Sequence, residues 1–288
     1  FANQNVTLTT PNLNLTGGNN TVNATTGNVN VQSNAAGAAL TVNMGAGSQI
    51  NANAPGTGMV NFNPTTAGNI NITGGPANGL ISAGDDVTYQ GGTVAVNVGQ
   101  IIGCNESVGA GVTTASITTA TGDLRVGPFT SSGNAAFTAN GVGADIITCG
   151  DINSGAGNLT LQAGTGANAN VQLKNNVTST GLLTINSGAG AGSNVTLDPA
   201  VTVSGGTTAV NTPQLALGAG STLRASTGDL DVQSNAPGSA LTVNLAAGST
   251  IVSTNADVGF NRTTAGAITM TGGLGTLQSG GASPHVTF

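Results

Sequence analysis

The chain consists of short segments in which every second residue is apolar. This is the period of a β-strand with one buried face, because successive side chains in a strand point to opposite sides. Gly, Asn, Ser and Pro separate the segments as turn residues. The segments begin at Asn5, Asn12, Asn28, Asn69, Asp86, Asp123, Asn158, Leu182, Asn194, Gln214, Asp229 and Ala267. Since no segment has a helical period, the pattern predicts an all-β protein.

The length of the segments decides between two all-β architectures. A sandwich uses longer strands and large aromatic anchors, whereas a solenoid uses short strands with small residues at the corners. The segments here are short and closely spaced, and aromatic residues make up 2% of the chain. We therefore expect a parallel β-helix that is one continuous β-solenoid over residues 1–288. Coils of roughly 20–25 residues would give about a dozen coils and a rod of about 60 Å.

The chain contains two nearly identical stretches far apart in sequence. TGNVNVQSNAAGAALTVN begins at Thr26, and TGDLDVQSNAPGSALTVN begins at Thr227. Residues 27–51 and 228–252 share 16 of 25 positions without a gap. More widely, residues 10–89 match 212–288, which predicts an internal repeat of about 200 residues. We expect the chain to be a window from a longer repetitive protein or a subunit that stacks end to end.

Composition and charge exclude several classes of function. The net charge is −6, and the few cations do not form a basic patch that could neutralise phosphates, so no nucleic acid is expected as a partner. No apolar run approaches the ~20 residues of a membrane-spanning helix. The N-terminal residues FANQNVTL do not have the pattern of a signal peptide. Many β-branched residues and little charge also argue against disorder.

Asn and Thr occupy the outward positions of the alternating segments. In a parallel solenoid they would stack into ladders of amides and hydroxyls along the rod, which stabilise stacked strands. The spacing Thr7-Leu8-Thr9 is that of an ice-binding array, but it does not recur at a regular coil period. We therefore expect the ladders to be structural, with ice binding as a minor alternative.

Cys104 and Cys149 occur in the similar contexts IIGC and IITC. A disulfide needs Cα atoms ~4.4–6.8 Å apart. Coils of normal length would place the two cysteines two coils apart, about 9.6 Å. A disulfide between the two cysteines therefore stays a possible alternative, and the favoured prediction is that both are buried free thiols. No His lies nearby in sequence, so neither a metal site nor a cofactor is expected.

The acidic residues do not form a recognisable catalytic motif. Asp85 and Asp86 are neighbours after Gly84, so we expect a turn and side chains on opposite faces. A β-helix hydrolase or lyase would cluster several acids with basic residues in a groove. Other candidates are scattered, mostly at strand starts or turns, and the single His is expected to be exposed. These residues are Asp123, Arg125, Asp151, Asp198 and His285. We therefore expect no catalytic residues and no enzyme.

Three motifs carry a family resemblance. GNLTLQAG from Gly157, TGDLRV from Thr121 and TTAGNINITGG from Thr65 resemble the coils of filamentous-haemagglutinin-type adhesins and of the bacterial β-strand-repeat surface proteins. The resemblance extends over essentially the whole chain. It implies a secreted, right-handed parallel β-helix that acts as an adhesin, a fibre or a surface-layer component.

The sequence thus predicts a structural component of a secreted extracellular or cell-surface fibre. Its partners would be itself, by end-to-end or lateral assembly, or further repeats of the same chain. The alternative is an adhesin segment that binds glycans or other cells. A carbohydrate-active β-helix enzyme is a further alternative, which a groove with at least three converging carboxylates or basic residues would indicate.

Overall fold

The computed structural model describes residues 4–74, 78–108 and 112–288, and these residues form β-strands and no helix. Strands of successive coils pair in parallel, and two sheets continue through about 12 coils. The predicted all-β parallel solenoid of roughly a dozen coils is therefore confirmed. The described residues form no helix that could span a lipid bilayer.

The strands are short, and most coils contain three of them. In the first part of the chain they are β1 (Val6–Thr9), β2 (Asn12–Leu15), β3 (Thr21–Ala24), β4 (Val29–Gln32), β5 (Leu40–Met44), β6 (Gln49–Ala52), β7 (Val60–Phe62), β8 (Ile70–Thr73), β9 (Leu80–Tyr89), β10 (Gly92–Val98), β11 (Gln100–Ser107) and β12 (Val112–Thr119). They continue with β13 (Leu124–Val126), β14 (Phe129–Thr130), β15 (Ala135–Ala139), β16 (Ile146–Thr148), β17 (Ile152–Asn153), β18 (Leu159–Gln162), β19 (Val171–Leu173), β20 (Val177–Thr178), β21 (Leu182–Asn186), β22 (Val195–Leu197) and β23 (Thr202–Gly205). The last are β24 (Thr207–Asn211), β25 (Gln214–Leu217), β26 (Thr222–Ala225), β27 (Leu230–Gln233), β28 (Leu241–Leu245), β29 (Thr250–Ser253), β30 (Val258–Phe260), β31 (Ile268–Gly272), β32 (Thr276–Ser279) and β33 (Val286–Thr287).

Two long sheets form two sides of the solenoid. Sheet 1 has 14 strands, and its main path is β1-β4-β7-β9-β11-β13-β16-β19-β22-β25-β28-β31. Sheet 2 has 12 strands in the order β2-β5-β8-β10-β12-β15-β18-β21-β24-β27-β30-β33. A third sheet of seven strands, sheet 3, has the order β14-β17-β20-β23-β26-β29-β32. Each coil except the first and the last described is thus bonded to the coil before it and the coil after it.

The third side of the solenoid changes position along the rod. In the first coils it is formed by β3, β6 and the first part of β9, which follow a strand of sheet 2 and precede a strand of sheet 1. From β14 onward it is formed by sheet 3, which follows sheet 1 and precedes sheet 2. The changeover falls between β11 and β14, and a bulge interrupts the β9–β11 pairing between Ile102 and Cys104.

Stacked apolar side chains fill the interior. On sheet 2 one inward row contains, in register, Val42, Ile72, Val96, Ile117, Phe137, Leu161, Ile185, Val210, Val232 and Phe260. All of them are buried. Burying one such side chain stabilises the fold by about 1.5–3 kcal/mol. A core only a few side chains wide therefore suffices, because it runs through every coil.

Polar side chains form the matching outward row on sheet 2, here called the sheet-2 polar row. Its members, in register, are Asn14, Asn43, Thr73, Asn97, Thr118, Thr138, Gln162, Asn186, Asn211 and Gln233. The Asn43 Nδ2 group donates to Asn14 Oδ1 at 2.6 Å, and Asn211 Nδ2 donates to Asn186 Oδ1 at 2.7 Å. The predicted ladders of amides and hydroxyls are therefore present.

The two similar stretches of sequence fold alike locally but lie on different sheets. β4 is in sheet 1 and β5 in sheet 2, whereas their counterparts β27 and β28 are in sheet 2 and sheet 1. The change of the third side between them accounts for this exchange. The structure therefore does not confirm the repeat of about 200 residues as a unit of the fold.

Candidate functional site

The changeover region brings the two cysteines together. Cys104 pairs in register with Arg125, which pairs with Ile147, so Cys149 lies two coils away, as the coil lengths predicted. The two cysteines are nevertheless joined in a disulfide with a Cα–Cα distance of 6.4 Å. The prediction that Cys104 and Cys149 are buried free thiols is therefore wrong.

A glycine explains how the disulfide spans two coils. The intermediate coil presents Gly127, which has no side chain and a φ of 106°. The sulfur atoms of Cys104 and Cys149 both contact the carbonyl oxygen of Gly127. The prediction of two full coil spacings assumed straight, evenly stacked strands, whereas β13 ends at Val126 and the chain turns at Gly127 between the two cysteines.

Three carboxylates gather beside this disulfide. Asp85 and Asp86 lie where β9 bends from the third side onto sheet 1, between Ala83, which pairs with β6, and Val87, which pairs with β7. The alternation expected of a straight strand does not apply at this bend. Glu106 of β11 is the third carboxylate. Sequence reasoning did not single out Glu106, because only the stacking of β11 on β9 brings it close.

Burial and nearby negative charge raise the pKa of two of these groups, Glu106 and Asp86. Burial raises the pKa of Glu106 to about 7, and repulsion from Asp86 and Asp85 adds to the rise. Burial also raises the pKa of Asp86, with a further contribution from Asp85. Glu106 therefore changes its charge near neutral pH, and a carboxyl group of this kind can exchange protons with a bound molecule.

These side chains line an open depression of about 420 Å³, together with Arg125 and the disulfide. We call it the acidic depression: Asp85, Asp86, Glu106 and Arg125. Three carboxylates and one guanidinium around one depression are the feature expected of a β-helix enzyme, and the sequence pattern did not predict this cluster. Among the described residues, one carboxylate oxygen each of Asp86 and Glu106 and the Cys104 sulfur, which are possible metal ligands, lie within 4.8 Å of one another. The Cys104 sulfur is bonded to Cys149, so only carboxylates remain there as metal ligands.

Most other acids have a structural role at the corners. The Asp123 Oδ1 atom accepts a hydrogen bond from the Asp145 backbone N–H at 2.9 Å, one coil later. Asp145 Oδ1 accepts in turn from the Asn170 N–H at 2.7 Å, and Asp151 Oδ1 accepts from the Asn176 N–H at 2.9 Å. These corner ladders confirm that the scattered acids stand at strand starts. They satisfy backbone donors that a turn would leave unpaired.

The remaining candidates lie apart from the acidic depression. His285 is exposed, as predicted, and its Nδ1 atom lies 3.6 Å from a carboxylate oxygen of Asp257. Asp198 is exposed in the turn after β22. Thr7 stacks on Asn30 and then on Asn61 along sheet 1, so the row that contains it is not a threonine array.

No family model, no curated protein and no solved structure matches this chain. The resemblance to filamentous-haemagglutinin-type adhesins, and the right-handedness that it implies, therefore remain predictions.

Proposed function

We propose that this chain is a structural segment of a secreted extracellular or cell-surface fibre. The observation that carries the proposal is the continuity of the hydrogen-bonded sheets. Sheets 1 and 2 run from the first described coil to the last, and every coil between these two is bonded to both neighbours. A rod with this construction bears load along its axis on many backbone hydrogen bonds at once.

The small number of cleavage sites for trypsin-like proteases favours a role outside the cell. The chain has four Lys and Arg residues in total, so trypsin-like proteases have few sites. Arg125 lies within β13 and Arg224 within β26, where the backbone is held in a sheet. A protease cleaves an extended, unpaired segment. The peptide bonds that follow Arg125 and Arg224 are therefore protected as long as the coils stay stacked.

The disulfide supports the same location. Disulfides form and persist in oxidising compartments and are rare in the cytosol. The bond between Cys104 and Cys149 fits a secreted protein better than a cytosolic one. It also joins coils at the changeover, where the third side is interrupted.

The outermost described coils support assembly with a further coil. Val6 and Leu8 of β1, and Ile268 and Met270 of β31, are only partly buried against the core. β1 and β31 are also at the two ends of the sheet 1 path, so each has one unpaired edge. At each end, a further coil from the same chain or from a second copy would bury these side chains and pair with the free strand edge.

Electron microscopy of the native material, beside a denaturing mass measurement, tests the proposal. Long rods with a denatured mass far above 27.5 kDa would show covalent repeats, and long rods with a mass near 27.5 kDa would show polymerisation of single chains. Either result supports the fibre. Single particles of about 60 Å, the length of about 12 coils, would overturn it.

A carbohydrate-active enzyme is the second candidate, because the acidic depression contains the expected groups. Incubation with neutral and acidic polysaccharides, followed by measurement of new reducing ends and unsaturated products, tests it. Under the structural proposal neither the native protein nor a Glu106→Gln variant releases product. Turnover by the native protein that is lost in Glu106→Gln would assign catalysis to this depression.

A further inference from the structure

One corner connection is much shorter than its neighbours. Where sheet 2 leads into sheet 1, only Thr212 and Pro213 connect β24 to β25. The neighbouring coils make the same connection with long loops, formed by residues 163–170, 187–194, 234–240 and 261–267. The missing loop leaves a gap between the loop before it and the loop after it.

This gap is an open cavity of about 530 Å³, here called the corner notch. Its floor is the end of the sheet-2 polar row, Gln162, Asn186, Asn211 and Gln233. Loops 187–194 and 234–240 supply its walls. They belong to coils two spacings apart, so their backbones are about 9.6 Å apart, with room for one extended chain between them.

The short corner is a built feature. The Thr212 hydroxyl donates to the Gln214 carbonyl oxygen at 2.7 Å and accepts from the Ser187 hydroxyl at 2.9 Å. Thr212 is fully buried by these contacts. The connection is therefore held tightly against the strands, and the notch stays open above it.

Asn235 reaches across the notch from one wall to the other. Its Nδ2 group donates to the Ser187 carbonyl oxygen at 2.6 Å. Its Oδ1 atom is buried and has no hydrogen-bond partner among the described residues. An unpaired buried amide oxygen is unfavourable, so turning the side chain away to admit a ligand relieves this cost and gives up one hydrogen bond, to the Ser187 carbonyl oxygen.

The lining decides which chemistry fits. It consists of Asn, Gln, Ser, Thr, Gly and Ala, with no charged side chain. A charged ligand would lose hydration without gaining an ionic partner. An apolar ligand would meet mostly amides and hydroxyls. Amides and hydroxyls both donate and accept, and so do the hydroxyls of a sugar.

We propose that the corner notch binds an uncharged oligosaccharide, which lies over the floor amides between the two loop walls. Asn186 and Asn211 make hydrogen bonds to its hydroxyls, and Asn235 swings aside to admit it. The inference does not depend on whether the rod forms a fibre. It gives the rod a specific binding face.

A peptide fits the notch less well. A peptide commonly binds a sheet by adding a strand to a free edge. β24, at the floor, is already paired with β21 on one side and β27 on the other. Its backbone groups are used in the ladder, so side chains must make the contacts.

The test uses the whole protein and isothermal titration with four uncharged probes: hexaoses of cellulose, starch, mannan and N-acetylated chitin. Hexagalacturonate serves as the charged control, and an Asn-Ser-Gly hexapeptide as the peptide control. The floor variant carries Asn186→Ala and Asn211→Ala. Its matched control is Asn43→Ala, which lies in the same sheet-2 polar row outside the notch.

A second variant fills the notch without touching the floor. The sequence NAPGS, copied from residues 235–239, is inserted between Thr212 and Pro213. The matched control carries the same insertion after Leu274, which is 79% exposed in the turn between β31 and β32, away from the notch. Surface insertions of this size are well tolerated, and circular dichroism checks that both proteins fold.

We expect at least one uncharged hexaose to bind, with about tenfold weaker affinity for the floor variant, since two hydrogen bonds are lost. The filled notch should not bind it, and both controls should match the native protein. The proposal is overturned if no uncharged hexaose binds at millimolar concentration, if only the acidic probe or the peptide binds, or if the filled notch binds as tightly as the native protein.

Discussion

The hydroxyl of Tyr89 donates a 2.8 Å hydrogen bond to the side-chain oxygen of Asn105, and both side chains are fully buried. Asn105 stands in an inward row of sheet 1 between Val87 and Val126. Its Nδ2 group donates to the Arg125 carbonyl oxygen at 2.9 Å. This satisfied polar pair lies between apolar neighbours in its row, beside the coil where the third side changes position.

Removing the hydroxyl should destabilise the protein. In Tyr89→Phe the Asn105 oxygen stays buried without its donor, and we expect a loss of about 1–3 kcal/mol in the free energy of unfolding. The double variant Tyr89→Phe with Asn105→Val removes the unpaired Asn105 oxygen and should recover part of the loss, because it also takes away the donor to the Arg125 carbonyl oxygen. Urea unfolding measures both effects. Equal stability of Tyr89→Phe and the native protein would show that the bond contributes nothing.

Reducing the disulfide should also destabilise the fold. Cys104 and Cys149 are 45 residues apart, and a bond closing such a loop contributes about 2–4 kcal/mol. We expect the urea midpoint to fall when a phosphine reductant is added. The double variant Cys104→Ser with Cys149→Ser should have the lower midpoint with or without reductant. A midpoint that the reductant does not change in the native protein would contradict this prediction.

Ionisation of Glu106 should lower stability as the pH rises. Its pKa in the folded protein is about 7, above the model-peptide value of 4.5, so the folded state holds the proton more tightly than the unfolded state. The resulting stabilisation is fully present below about pH 4.5 and is lost as the pH rises through about 7. Glu106→Gln removes this loss. The free energy of unfolding of Glu106→Gln relative to that of the native protein should therefore increase between about pH 4.5 and pH 7. Urea unfolding at several pH values measures this difference, and a difference that does not change with pH would contradict the prediction.

A glycine in the turn after β30 should not tolerate a side chain. A Cβ atom on Gly266 would overlap the Ser239 carbonyl oxygen of the previous coil, whereas one on Gly273 would meet nothing within 4 Å. Gly266→Ala must push two coils apart, and we expect a loss of about 1–3 kcal/mol, as for other overpacked sites. Gly273→Ala should change stability by less than about 0.5 kcal/mol. Thermal unfolding of both variants measures this difference. Similar melting temperatures for Gly266→Ala and Gly273→Ala would show that Gly266 is not closely packed against Ser239.

Local sequence determined the local structure, and the repeated turn shows how. Asn63 and Asn261 both adopt a left-handed conformation, with φ of 54° and 49°. Their Oδ1 atoms accept from the backbone N–H groups of Ser33 and Ser234, at 2.9 and 2.8 Å. The motif Asn-x-Thr-Thr-Ala-Gly builds the same turn in both places, because its hydrogen bonds connect residues within it and residues one coil away.

The sequence by itself thus determined which side chains face inward, where the turns fall and that short strands stack in parallel. These properties follow from alternation and turn residues, which act over a few positions. Tertiary structure alone decided which sheet each strand joins, since that depends on the lengths of all the preceding coils. It placed β4 and β27 on different sheets and brought Glu106 beside Asp86. It also joined Cys104 to Cys149 over Gly127 and opened the corner notch above Thr212, because lateral neighbours in a solenoid come from other coils.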